Sequence, residues 1–119
     1  MTLLAVMIGG AVGSALRFGL SVWLNPAPST GLPLGTLVAN IGGCLLIGWL
    51  AAALSNASEP VRLGVLVGVL GGFTTFSSFG IEAIRLFQGG QTTVAIAYVA
   101  ISNVGGLVAA WLGTRIAGQ

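Results

Sequence analysis

The sequence predicts an all-α integral membrane protein of four transmembrane helices, the third of them broken near its middle, as a single membrane domain over residues 1–119. Composition is the first observation. Of 119 residues, 55% are hydrophobic and only 5% charged, with no His, and the mean hydropathy is +1.04. Length is the second. A crossing takes about 20 apolar residues, so the chain accommodates four and little else. The third is a pair of glycines followed by hydroxyl residues inside the third apolar run, a poor helical stretch where lipid would demand a good one.

Helix one is placed at about 3–24. It ends at a loop, 25–31, whose two prolines cannot continue a helix. The start lacks a charged segment and the apolar run passes Leu20 without a convincing cleavage site, so a retained helix is expected rather than a signal peptide. Gly9 with Gly13, and Gly10 with Ser14, are small residues four apart, which let another helix approach closely. Arg17 and Ser21 continue the stripe from Gly10. An arginine one or two turns inside a membrane helix either snorkels to the interface or lines a polar vestibule.

Helix two is placed at about 34–54, with Thr36, Asn40, Gly43 and Cys44 on one face. Asn40 stands among apolar neighbours. An amide at membrane depth must find partners, either a neighbouring helix or a permeating solute. Ser58, Glu59 and Pro60 then make a start signal for helix three, placed at about 61–87.

Within helix three, Gly71 to Gly80 carries the chemistry. A break is expected in this stretch of two adjacent glycines followed by β-branched and hydroxyl residues. Broken backbone at membrane depth is tolerated only where it faces protein or a wet cavity, and its freed carbonyls suit a cation while freed N–H groups suit an anion. If the helix resumes after the glycines at about 100° per residue, Phe76 and Phe79 share one face while Thr75, Ser78 and Glu82 share the next. Phenyl edges are the positive part of the ring quadrupole and face an anion that hydroxyls also hydrogen-bond. The competing reading is packing for the rings and back-bonding to the helix for the hydroxyls.

Helix four is placed at about 92–116. Tyr98, Ser102, Gly106, Ala109 and Gly113 fall along one face, and Asn103 is read as a buried amide without an assigned role.

Charge then bears on assembly. The basic residues are all arginines: Arg62 and Arg115 fall near the side shared by the two termini, Arg17 and Arg85 near the other. Orientation follows the Lys/Arg imbalance of short loops, so a tie leaves insertion undirected. Copies inserted both ways up would form an antiparallel, dual-topology homodimer with a twofold axis in the membrane plane, bringing two breaks together at the midplane. There the facing carbonyls would hold one monovalent cation. Chemistry of the catalytic kind is not expected. One Cys, two Glu and no His leave little for acid/base catalysis or a transition-metal site.

Three motifs in order carry a resemblance over essentially the whole chain: Gly9 to Phe18 (GGAVGSALRF), Gly35 to Gly42 (GTLVANIG) and Gly71 to Phe79 (GGFTTFSSF). The sequence resembles the Fluc (CrcB) fluoride channels. The resemblance implies a dual-topology homodimer in the cell (inner) membrane, with two fluoride pores, passive export that relieves fluoride toxicity, and a structural sodium ion at the dimer interface. It implies sodium held by the backbone carbonyls of Gly71 and Thr74, pore phenylalanines at Phe76 and Phe79, a pore asparagine at Asn40 and a helix-four serine at Ser102. It further implies a polar track at Ser77, Ser78 and Tyr98, with Glu82 following, and a vestibule arginine at Arg17. Ser78 departs from the family, which more often has threonine there. Fluoride, a second copy and the bilayer are the expected partners; nucleic acid is not.

The alternative is a small multidrug exporter, also of four helices and dual topology. Exchange of protons for cationic drugs needs a membrane-embedded carboxylate in helix one, and that helix offers Arg17 instead. A purely structural subunit predicts no buried polar rail, against Asn40, Ser77 and Ser102.

Overall fold

The structure is a computed structural model and describes residues 1–25 and 31–118. The loop expected at 26–30 and the terminal Gln119 lie outside the described residues. Helix α1 spans Thr2–Leu24 and α2 spans Leu34–Ala53. The third crossing, Glu59–Gln88, is composite: α3 Glu59–Leu63, a π-helical turn at Gly64–Val69, α4 Leu70–Phe73 and α5 Phe76–Gln88. Helix α6 spans Thr92–Ile116. The molecule is elongated, 48 × 29 × 19 Å, and its long axis suits a bilayer of about 40–45 Å including headgroups.

Each boundary has a local cause. Ser58, with φ −60° and ψ 149°, is the extended residue before α3, and Pro60 sits in the first turn, where its missing N–H costs nothing. After α5 the chain turns at Gly89 and Gly90, and Gly90 takes a left-handed φ of 79° that favours glycine.

Within the expected stretch, the break falls at the threonines and not at the glycines. Gly71 and Gly72 remain helical, and the chain opens at Thr74 (φ −84°, ψ 155°) and Thr75 (φ −152°, ψ 121°). Two β-branched residues prefer this extended geometry, and the Thr75 hydroxyl caps the new helix by accepting from the Ser78 N–H at 3.2 Å. Thr75 therefore starts the polar rail as a cap and not as a helical residue. Gly72 serves close approach instead: a Cβ there would lie 2.7 Å from the Gly10 carbonyl oxygen.

Packing follows the small residues, as it must where lipid is as apolar as the helix surface. Helix α1 lies against the upstream half of the third crossing and α2 against α6. Gly9 and Gly13 are buried on the backbones of Gly64 and Val69, while Gly48 and Gly113 let α2 and α6 touch backbone to backbone. The π turn, which the sequence reading did not include, buries Gly64 and Gly68 beside Ala5, Val6 and Gly9. After the break, α5 leaves α1 and packs mainly on α6. There Phe79, Ala83 and Leu86 join Leu37, Ala95 and Tyr98 in the larger-residue core.

Candidate ion pathway at the helix break

A continuous helix would pair each carbonyl with the N–H four residues on, and the threonine break redirects those donors one by one. The Thr74 N–H still reaches Leu70 O at 3.0 Å. The Thr75 N–H, the natural partner of the Gly71 carbonyl, turns instead to Asn40 Oδ1 at 2.7 Å. The Ser78 N–H, the natural partner of the Thr74 carbonyl, goes to the Thr75 hydroxyl. The carbonyls of Gly71 and Thr74 are thus deprived of their helical donors. Gly71 is exposed, with open space where a side chain would stand.

Two other helices grip the break. Asn40 of α2 closes a ring with the Thr75 peptide, accepting its N–H and donating Nδ2 to its carbonyl at 2.9 Å. Arg17 of α1 donates from Nε to the Gly72 carbonyl at 3.1 Å and is half-buried. Asn40 thus finds helix partners, as an amide at this depth must, yet keeps one amide hydrogen to spare. Arg17 is held at the break and is not extended toward the interface.

A cavity of about 330 Å³ opens beside the break, with Asn40, Gly71, Thr74, Phe76, Phe79 and Ser102 all on its wall. The Ser102 Oγ is buried and, among the described residues, has no hydrogen-bond partner. The Phe76 and Phe79 rings lie 5.5 Å apart at a 45° tilt, and Phe76 is 80% exposed where Phe79 is 8% exposed. Cys44 contributes a free thiol to the same wall.

Ser77, Ser78, Tyr98 and Arg17 are not on that wall. Ser77 is exposed, with its hydroxyl 3.4 Å from that of Thr75. Tyr98 is fully buried, its ring 5.2 Å from Phe79, and donates its hydroxyl to Glu82 Oε2 at 2.7 Å. Thr36 donates to Glu82 Oε1 at 2.9 Å. Sequence reasoning put Thr36 on the Asn40 face and Glu82 on the Ser78 face but did not join them. A lone membrane carboxylate was the signal, because each of its oxygens must find a donor. Beyond Glu82 lies a second cavity of about 320 Å³, bordered by Arg85 and Gln91. Asn103, read as buried, is exposed in the single chain, and its Nδ2 bonds back to Val99 O at 2.7 Å.

Among the described residues no cluster of His, Cys, Asp or Glu has the makings of a metal site. A cation at the break would rest on backbone oxygen, and the freed carbonyls of Gly71 and Thr74 fit that chemistry.

Comparison with known proteins finds relatives over nearly the whole chain. The profile of the family described as "CrcB-like protein, Camphor Resistance (CrcB)" matches residues 4–114. The chain is 45% identical over 117 residues to the fluoride-specific ion channel FluC of Chloroflexus aurantiacus, covering 96% of this chain and 93% of the relative. It is 44% identical over 116 residues to the FluC channel of Stutzerimonas stutzeri, covering 95% and 94%. The FluC channel of Pseudomonas fluorescens is 45% identical over 117 residues, covering 96% and 94%.

Proposed function

The chain belongs to the CrcB family, and on that premise we propose that it is a fluoride-selective channel, a multi-pass protein of the cell membrane that exports fluoride passively and relieves fluoride toxicity. It is an ion channel and not an enzyme. The observation that carries the reading is the Ser102 hydroxyl, buried without a partner on the cavity that also takes in Asn40, Phe76 and Phe79. Small, strongly hydrated anions enter apolar surroundings only where donors replace their water. Ser102 offers an O–H, Asn40 its second amide hydrogen, and the two phenyl rings their positive edges. Ser77, Ser78 and Tyr98 continue the track toward Glu82.

The functional unit in this proposal is an antiparallel homodimer with two pores. Phe76 is 80% exposed in the single chain and Gly71 faces open space, so the site is incomplete without a second copy. Of the carbonyls that the break frees, those of Gly71 and Thr74 are the pair assigned to the ion in this proposal, and a second copy doubles the set. Sodium held there would supply a positive charge that fastens the two breaks to each other.

Proteoliposomes test the function directly. Potassium fluoride efflux through the purified protein, with potassium carried by valinomycin, is expected to be fast while chloride and a cationic dye stay inside. Dye transport driven by a proton gradient would instead favour the exporter, for which α1 supplies no carboxylate. Retention of fluoride would end the channel reading.

A further inference from the structure

We infer that Asn103 is the polar contact through which α6 meets a second copy of the chain, its carboxamide hydrogen-bonding across the seam between the two copies. The inference rests on the dimer reading above and adds a residue to it. Asn103 is exposed in the single chain. It stands on the wall of the cavity of about 330 Å³ that also takes in Gly71 and Phe76, the two residues left uncovered until a second copy arrives.

One amide hydrogen of Asn103 is committed to its own helix, Nδ2 to Val99 O at 2.7 Å. Among the described residues nothing bonds its Oδ1 or its second amide hydrogen. Depth makes that costly. Asn103 lies eleven residues after Thr92 and thirteen before Ile116, at the middle of α6, where hydrocarbon offers neither donor nor acceptor and a short side chain cannot reach the headgroups. A passing anion suits the carboxamide poorly, because the unbonded oxygen is an acceptor and repels negative charge. A second protein surface can supply both kinds of partner.

Symmetry brings that surface to the right level. A twofold axis in the membrane plane keeps residues at mid-height in one copy at mid-height in the other. In the third crossing, Glu59–Gln88, Thr74 lies fifteen residues after the first residue and fourteen before the last, so a second copy brings its own break to the level of Asn103. The break carries carbonyl oxygens freed from helical pairing, which can accept the spare amide hydrogen, and the exposed hydroxyl of Ser77, which can donate to Oδ1. In a symmetric pair the contact is made twice, once from each copy. A single amide in an otherwise apolar seam fixes the register where apolar contacts alone would slide.

Dissociation of the pair in detergent tests this without any measurement of flux. Full-length copies carry donor or acceptor dyes on an added C-terminal tag, and fluorescence energy transfer between them is followed as the ratio of detergent to protein rises, in sodium buffers with and without fluoride. Asn103→Leu removes the amide and keeps the bulk, while Asn103→Ala removes both, and each variant is checked for helicity. Both are expected to dissociate about thirtyfold more readily than wild type, the scale of two interhelical hydrogen bonds, and equally with and without fluoride. Weakening in only one of the two would overturn the inference in favour of side-chain volume. A loss seen only in fluoride would overturn it too, by giving the amide to the ion. A wild-type chain that is monomeric at every ratio ends the dimer reading itself, whereas a wild-type dimer that neither substitution weakens ends this inference alone.

Discussion

Asn40 and Thr75 form a closed two-bond ring, with Thr75 N–H to Oδ1 at 2.7 Å and Nδ2 to Thr75 O at 2.9 Å. The carboxamide thereby does for an extended peptide what a neighbouring strand does in a sheet, and does so at membrane depth. Because the Thr75 N–H is engaged there, the Gly71 carbonyl is left without its helical donor. The ring therefore links a side chain of α2 to the exposure of backbone oxygen on the third crossing.

Replacing Asn40 tests both ends of that ring. Asn40→Asp still accepts from Thr75 N–H but loses the donor, turns a carboxylate toward the Thr75 carbonyl and repels an entering anion. Fluoride conduction is expected to stop. Asn40→Ala removes both bonds and should lower stability by about 1–3 kcal/mol, read by reversible denaturation in detergent. Wild-type flux in Asn40→Asp would place this residue outside the pathway.

Phe76 and Phe79 should separate function from stability. Isoleucine keeps apolar bulk and lacks the positive ring edge, so Phe76→Ile and Phe79→Ile are each expected to abolish fluoride efflux. Their stabilities should differ. Phe79 is buried between Phe76 and Tyr98, with centroids 5.5 Å and 5.2 Å away, and its loss should cost about 1–3 kcal/mol. Phe76 is 80% exposed, so its replacement should leave the fold of the single chain unchanged. Full flux in both variants would reduce the rings to packing.

Glu82 accepts one hydroxyl on each oxygen, from Thr36 and from Tyr98. Tyr98→Phe or Thr36→Val leaves one carboxylate oxygen without its donor, and each is expected to cost about 1–3 kcal/mol. The double variant should cost less than the sum, since the two hydroxyls share one acceptor group. Thermal unfolding of the four proteins of the cycle measures this coupling. Strict additivity would show that the two bonds act independently.

Removing sodium should weaken the proposed dimer. With N-methyl-D-glucamine as the only cation on both sides, fluoride efflux is expected to fall and subunits to dissociate at lower detergent dilution. Restored sodium should reverse both effects. Indifference of assembly and flux to sodium would remove the ion from the account and leave Gly71 and Thr74 hydrated.

The helices were legible in the sequence because lipid enforces a simple code of apolar length, punctuated by Pro26, Pro60 and the Gly89–Gly90 pair. The disturbed segment of the third crossing was legible too, near the middle of that helix, but which of its residues would leave the helix was not. Gly71 and Gly72 looked like the breakers on propensity, whereas Gly72 is held helical under Gly10 and the threonines yield instead. That outcome depends on α1, which no local rule sees. The π turn at Gly64–Val69 was hidden for the same reason. Asn40 and Ser102 stood out as polar groups at membrane depth, and Phe76 and Phe79 as an aromatic pair on one face beside hydroxyls, with packing as the competing reading; all four reach one cavity. Arg17 posed a choice between snorkelling and a vestibule, and a backbone acceptor created by a break in another helix was not available to sequence reasoning.

Topology is the remaining demand. Two arginines near each side leave insertion undirected, so adding two lysines near either end should bias all copies one way. One variant carries lysines after Gln119, the other in the 88–91 loop on the opposite side. If one dimer needs both orientations, each variant should be inactive alone, and reporter fusions at the C-terminus should show that each is locked. Expressed together they should recover fluoride efflux, because opposite orientations are again available to pair. The added charges lie at the helix ends, away from Asn40, Phe76 and Ser102, so damage to the pathway does not account for inactivity that co-expression reverses. Should either locked variant conduct fluoride fully by itself, the antiparallel pair is wrong, and the carbonyls of Gly71 and Thr74 must meet a parallel neighbour or none.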